Sequence, residues 1–364
     1  MDFDSFVAEH ARTSSKPHKG MTIDDTMSFF HHLSTLINAG TPLLQAIQIG
    51  STQNQSLKLR KVLDEIAFKV ASGSALYVAA ASRPDIFQHH WVEVIRTGEV
   101  TGKMGEVLLE LNKQIKDSRE TRRKVVGALM YPMILIVVAV IAVGVMLWMV
   151  VPTFANMFKD MGAELPQITQ YVVDGSNFIV TNGPYLAVAA IAGVVGPKLF
   201  ARTESGRRTL IGCGLVLPMV GDLIVQSAMY RFASNLALML RSGVPMLETI
   251  QTLILVYHTN PPYRRALLQV QATVSAGRPL ATALADTHLF TTMMISMVKI
   301  GEESGELASV MGQIAPYYKE KMESMVMKVT KLLEPIIIMG MGTSIAGIML
   351  AIYMPMFEMA GKVH

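Results

Sequence analysis

RRKVVGALMYPMILIVVAVIAVGVMLWMVVPTF, residues 122–154, decides how the rest of this chain is read. It opens on three cations, Arg122, Arg123 and Lys124, and no charged side chain follows until Lys159. At about 1.5 Å of rise per residue, the run from Met133 to Val151 is long enough to cross a hydrocarbon layer of roughly 30 Å. It reads as a transmembrane helix over 130–151. Pro132 suits its first turn, where the missing N–H is one of the unpaired donors, and Pro152 marks its stop. A shift of 203 residues carries Pro132 onto Pro335, Pro152 onto Pro355 and Phe154 onto Phe357, around a second uncharged run from Ile336 to Phe357. The same shift carries Phe29 to Phe232, Leu33 to Leu236, Gly40 to Gly243, Pro42 to Pro245 and Phe87 to Phe290. It also carries Gly98, Glu99 and Gly102 to Gly301, Glu302 and Gly305. One constant offset over so many special residues marks an internal duplication.

Composition fits a membrane protein that keeps large soluble parts. Hydrophobic residues make up 51% and charged residues 16%, against about 25% charged in ordinary soluble domains. The net charge of +4 is carried by cations gathered beside the apolar runs, with few aromatics between them. Anionic lipid headgroups, not nucleic acid, are the expected counter-charge. Cys213 is the single cysteine, which excludes an intrachain disulfide and a cysteine zinc cluster and leaves the redox compartment undetermined.

Residues 1–21 are polar and mixed in charge, without a basic-then-apolar signal pattern, and read as a flexible tail. Thr22 and Asp25 form a capping-box variant ahead of Phe29, Phe30, Leu33, Leu36 and Ile37, whose three- and four-residue spacing predicts an amphipathic helix. Gly40 ends it, Thr41 suits the next cap and Pro42 the next first position. Further helices are predicted at about 56–72, 74–82, 88–98 and 103–124, closing a cytoplasmic bundle of about six helices over 22–124. Lys113, Lys116 and Arg119 continue the cationic run toward Arg122, and Lys198, Arg202, Arg207 and Arg208 follow the next apolar stretch. The positive-inside rule then places an external loop at 152–183, a return span at 184–201, a second cytoplasmic bundle at 202–331, a third span at 335–356 and an external tail at 357–364. Leu210 to Val225 is apolar but short and broken by Pro218 and Asp222, so it reads as a buried helix pair, with a re-entrant segment as the alternative. Gly340, Gly342, Ser344, Ala346 and Gly347 give the last span a small-residue surface for close helix packing.

Chemistry-bearing patterns are weak. Gly98 to Lys103 differs from a phosphate loop in having three residues between its glycines and Met104 after the lysine. The shared Gly-Glu-x-x-Gly is better read as a helix end, a corner and a new helix with acids near its start. A partner-contact or divalent-cation role for Glu99 or Glu302 is the functional alternative. His31-His32 and His89-His90 are adjacent pairs that diverge by about 100° on a helix, so neither forms a bidentate metal site. The 27 methionines are spread through spans and bundles, as packing demands. No catalytic set declares itself, no cofactor or metal is expected, and no span holds an ionisable residue of the kind that ion pathways require. A small membrane transporter or channel is therefore only the alternative reading.

From about Thr22 to Gly361 the chain resembles the inner-membrane platform protein of type IV pilus and type II secretion machines, the PilC-like or F-type family. The residues that carry the resemblance are Leu36 to Leu44, with its Ala-Gly-Thr-Pro-Leu core, and Arg122-Arg123-Lys124 leading into Ala128 to Pro132. Leu217-Pro218 with Gly221, Arg231-Phe232, Ser242 to Pro245, Gly301 to Gly305 and Glu334-Pro335 complete the set. Val100-Thr101 and Lys103-Met104 depart from the family's first corner, and the N-terminal extension is short. The resemblance implies an all-α polytopic protein with two duplicated cytoplasmic six-helix bundles and three transmembrane helices, multi-pass in the bacterial inner membrane, N-terminus cytoplasmic and C-terminus periplasmic. It implies a non-enzymatic platform that works with a hexameric cytoplasmic assembly ATPase, pilin or pseudopilin subunits and other inner-membrane machine components, as a homodimer or higher homo-oligomer. Expected partner contacts are the two corners and the basic helix ends: Glu99, Lys103, Arg122, Arg123, Lys124, Arg207, Arg208, Glu302, Glu303 and Glu306.

Overall fold

The computed structural model describes residues 19–160, 166–200, 203, 206 and 219–362. All regular structure among them is helical, as the periodicity demands. The Thr22–Asp25 capping box forms, with the Thr22 N–H donating to Asp25 Oδ2 at 2.7 Å, and opens α1 (Ile23–Asn38). Gly40, at φ +83°, turns the chain into α2 (Leu43–Gln53). No side chain caps α2, so Thr41 does not take the role expected of it and Pro42 itself precedes the first turn. Then come α3 (Leu57–Ala71), α4 (Leu76–Ala81), α5 (His89–Thr101) and α6 (Met104–Val145). A wide π turn at Met146–Val150 leads into α7 (Val151–Asp160), and α8 spans Gln167–Phe200. The second series is α9 (Val220–Arg241), α10 (Met246–Val256), α11 (Pro261–Ser275), α12 (Leu280–Ala285), α13 (Thr292–Ser304) and α14 (Leu307–Lys362).

The chain divides into two units. One holds residues up to Arg123 together with 214–322, and it contains two apolar cores. In the first core Phe30 meets Phe87 and Trp91 edge to face, with ring centroids 6.1 and 5.6 Å apart. In the second, Phe290 packs against Phe232 and Tyr263 at 5.0 and 5.8 Å. Each such buried ring contributes roughly 2–3 kcal/mol from lost water contact, and Phe87 and Phe290 keep that ring at the same position of both copies. Leu238, Met239 and Val244, at the α9–α10 turn, join the first core rather than the second.

The other unit holds 124–213 and 323–364. Val151, Ile348 and Ile352 form its small core with Leu147, Phe154, Val172 and Val173 around them. Thr169 Oγ1 donates to the Ala351 carbonyl at 2.6 Å and Ser176 Oγ to that of Leu147, so these two hydroxyls are satisfied by neighbouring helices. Among the described residues two helical stretches, within Met104–Phe158 and Leu307–Pro355, are long and apolar enough to cross a membrane. Only 6% and 17% of their most apolar windows are buried by the protein itself, unlike the core helix of a soluble domain.

Prolines neither begin nor end these helices, contrary to expectation. Pro132 lies inside α6, which runs unbroken from Met104, and Pro335 and Pro355 lie inside α14. At Pro152 the helix widens instead of stopping: the Val151 N–H donates to the Met146 carbonyl across the π turn. That extra residue makes room for a ring that would otherwise clash four residues back. The segment expected as an external loop is largely helical, in α7 and the first half of α8. Of the expected buried pair over 210–225, residues 210–218 lie outside the described part and the remainder opens α9.

His90 is buried against Trp91, with ring centroids 5.9 Å apart, and burial lowers its pKa from 6.5 to about 4, with a smaller effect from His89. The unfolded chain therefore takes up a proton near pH 6.5 that the folded chain refuses until about pH 4. Stability is full above that window and falls through it by roughly 3 kcal/mol. Thermal melts of the detergent-solubilised chain between pH 7 and pH 4 should show this loss. In His90→Met, which copies Met293 at the equivalent second position, the slope should flatten.

Candidate functional site

Gly-Glu-x-x-Gly is built twice, with the same internal geometry. Gly102 and Gly305 end α5 and α13 at φ +73° and +72°, a left-handed conformation that glycine adopts without steric cost. The first glycine of each motif does something else. A Cβ on Gly98 would lie 3.0 Å from Val107 Cβ, and one on Gly301 would lie 2.8 Å from Leu307 Cα, so each glycine admits the following helix at close range. The helix end is thus at the second glycine alone.

The glutamates do not serve the helix that follows them. Glu99 Oε1 and Oε2 accept the backbone N–H groups of Leu76 and Tyr77 at 2.8 and 3.0 Å. Glu302 accepts those of Leu280 and Ala281 at 2.5 and 2.8 Å. Each carboxylate therefore caps the N-terminus of the short helix just before its own, α4 or α12, where the first N–H groups lack partners and the dipole favours negative charge. Neither short helix has a capping side chain of its own. This long-range cap was invisible in the sequence, although recurrence of Gly-Glu at a fixed offset signalled that Glu99 and Glu302 share one task.

Other expected contact residues occupy open positions. Lys103 is exposed on the first corner; Glu303 and Glu306 are exposed on the second, Glu303 lying 3.9 Å from Lys299. Arg122 and Arg123 are exposed on α6. Lys124 is exposed as well and its Nζ donates to Glu323 Oε2 at 2.9 Å. Arg207 and Arg208 lie outside the described residues. The structure thus gathers Glu99 and Lys103 at one corner and Glu302, Glu303 and Glu306 at the other.

A surface that spacing did not reveal joins the two helix series within the first unit. Arg96 on α5 pairs with Glu93 at 2.8 Å and with Glu248 on α10. Gln114 donates to Asn235 at 3.0 Å, Arg241 to Glu110 at 3.2 Å, and Lys319 stands 3.8 Å from Asp117. Thr97 faces the α9–α10 turn so closely that a Cβ on Gly243 would meet its Cγ2 at 3.6 Å. A signal for this surface did exist in the sequence: Leu238, Met239 and Val244 replace Thr35, Leu36 and Thr41 of the first copy. Among the described residues, no three His, Cys, Asp or Glu side chains are grouped to hold a metal.

The family model for the type II secretion system (T2SS), protein F, matches residues 29–152 and again 232–355. The chain belongs to the protein F family. Its two matches are offset by the same 203 residues that relate the prolines, phenylalanines and glycines. Among curated members, a type IV pilus assembly protein PilC from Pseudomonas aeruginosa is 31% identical over 342 residues, 93% of this chain and 91% of that protein. PilC from Myxococcus xanthus is 29% identical over 345 residues, 95% of this chain and 82% of that one. A type II secretion system protein F from Pseudomonas aeruginosa is 30% identical over 341 residues, covering 94% and 84%.

Glu99→Ala and Glu302→Ala should each cost about 2 kcal/mol, the loss of two N–H caps at once. Amide exchange should accelerate at residues 76–78 in the first variant and 280–282 in the second. Protection elsewhere in α5 and α13 should persist.

Proposed function

We propose that this protein is the inner-membrane platform of a filament-assembly machine, of the type IV pilus or type II secretion class, and that it couples a cytoplasmic assembly ATPase to insertion of pilin or pseudopilin subunits. The observation that carries the reading is family membership over both halves, with relatives named for pilus assembly and for secretion aligned along more than nine-tenths of this chain. In this reading the chain is not an enzyme. Both helix series lie in the cytoplasm as duplicated six-helix bundles, and three spans cross the membrane, the return span lying in the second half of α8. The N-terminus is then cytoplasmic and the C-terminus periplasmic.

Physical support comes from α6 and α14. Each begins inside an apolar core and continues without interruption into a stretch that can cross a bilayer. An α-helix bonded along its length transmits displacement along its axis, so motion of a bundle would be felt in the membrane. Exposed Lys113, Lys116, Arg122 and Arg123 sit just before the apolar run of α6, where anionic headgroups would hold them at the cytoplasmic surface. With Glu99 and Glu302 engaged internally, Lys103, Glu303 and Glu306 are the corner groups that face a partner. Arg207 and Arg208 extend the basic face in this proposal.

The test is co-purification of the detergent-solubilised chain with the hexameric ATPase encoded in the same filament system, with ATP turnover recorded. Binding with altered turnover, abolished by Lys103→Glu with Glu303→Lys and Glu306→Lys, is expected, and the chain alone should hydrolyse no ATP. Turnover by the chain alone would overturn the non-enzymatic reading. Absence of binding to the assembled hexamer would overturn direct coupling.

A further inference from the structure

The contact between the two helix series is heterologous. It joins the α5–α6 face of the first copy to α9 and the α9–α10 turn of the second, two non-equivalent surfaces, with one further pair, Lys319 beside Asp117, between the equivalent helices α14 and α6. Such a contact uses one face of each copy and leaves its counterpart free at either end. Those counterparts are the α13 face of the second copy, equivalent to α5, and the α1–α2 turn of the first, equivalent to α9–α10.

Both counterparts are open. Gly40 holds the same left-handed turn as Gly243, φ +83° against +82°, but nothing lies within 4 Å of where its Cβ would be. Thr35, Asn38 and Gln45 around it are exposed. On α13, Ile300 takes the place of Thr97 and Met293 that of His90. The first-copy residues are 7% and 8% exposed, whereas Ile300 and Met293 are 49% and 40% exposed. The substitution thus runs opposite to what water selects, since the exposed positions carry the more apolar side chains. Ile300 and Met293 are seven residues apart on α13, hence on one side of the helix, with Lys299 beside them where the first copy has Arg96.

We propose that the α13 face of one chain receives the α1–α2 turn of a second copy, repeating between molecules the contact that already joins the two series within one. Ile300 then rests on Gly40 as Thr97 rests on Gly243. The polar pairs remain compatible: Lys299 meets Gln45 in place of Arg96 with Glu248, and an ammonium donates to an amide oxygen without an unpaired acid being left behind. Thr35 and Thr41, in place of Leu238 and Val244, make the intermolecular contact less apolar than the internal one. The arrangement is head to tail, so it closes into a ring or continues, and it contains no two-fold axis through this contact. It goes beyond the platform reading and does not depend on an ATPase.

The test uses the full-length chain in native membranes with Cys213→Ser as background, and oxidative or short bifunctional cross-linking. Gln45→Cys combined with Lys299→Cys in one chain should give cross-linked dimers and larger species. Mixing chains that each carry one of these substitutions should give dimers only. Either single variant alone should give none through the engineered thiol. Ile300→Asp, at an exposed position, should reduce the cross-link at least tenfold while leaving the melting temperature unchanged. Self-cross-linking of either single variant to the same extent would show a two-fold contact and overturn the proposal, and so would absence of product from the double variant.

Discussion

A backbone N–H or C=O left without a partner in hydrocarbon costs several kcal/mol, and in this chain that constraint reaches far outside the apolar layer. Neither α6 nor α14 starts or stops at the edge of its apolar run, where unpaired end groups would accumulate. Both start outside it, at the glycine corners that end α5 and α13. In the proposed machine, that continuity lets the bundles act on the membrane segments.

The corners are organised around the same requirement. α4 and α12 are six-residue helices, too short to be stable by themselves and without side-chain caps. A carboxylate from a different helix supplies the missing acceptors in each. This ties the start of one element to the end of another, so the left-handed glycine, the close-packing glycine and the glutamate function as one joint. Gly98 and Gly301 cannot be enlarged without pushing α6 or α14 away from the helix it follows. The corner residues singled out as partner contacts therefore divide: Glu99 and Glu302 hold the joint, and Lys103, Glu303 and Glu306 face outward.

Much of this was legible in the residues. Phe29, Phe30 and Leu33 at helical spacing predicted a buried face, the Thr22–Asp25 cap formed as read, and the offset of 203 anticipated where the family model would match twice. What failed was the local reading of proline. Pro132 and Pro152 have strong terminating tendencies, but the helix runs on through Pro132 and widens into a π turn before Pro152, and neither outcome has a local pattern in the sequence. The Glu99 cap was hidden because its partners lie 22 and 23 residues away. The contact between the two series left a fainter trace: Thr35 and Thr41 give way to Leu238 and Val244, which becomes interpretable only when the copies are aligned.

Continuity of α6 from the core into the membrane segment is the central claim, and interrupting it tests the account most directly. Four glycines inserted between Arg123 and Lys124 would add about 1 kcal/mol of helix-breaking tendency per residue at that point. Four alanines at the same place would lengthen the helix and keep it stiff. With both variants present at normal levels in the membrane, and with bundle melting unchanged, the glycine insertion should abolish filament assembly while the alanine insertion retains a measurable part of it. Equal assembly by the two variants would show that the platform works without a rigid connection through α6.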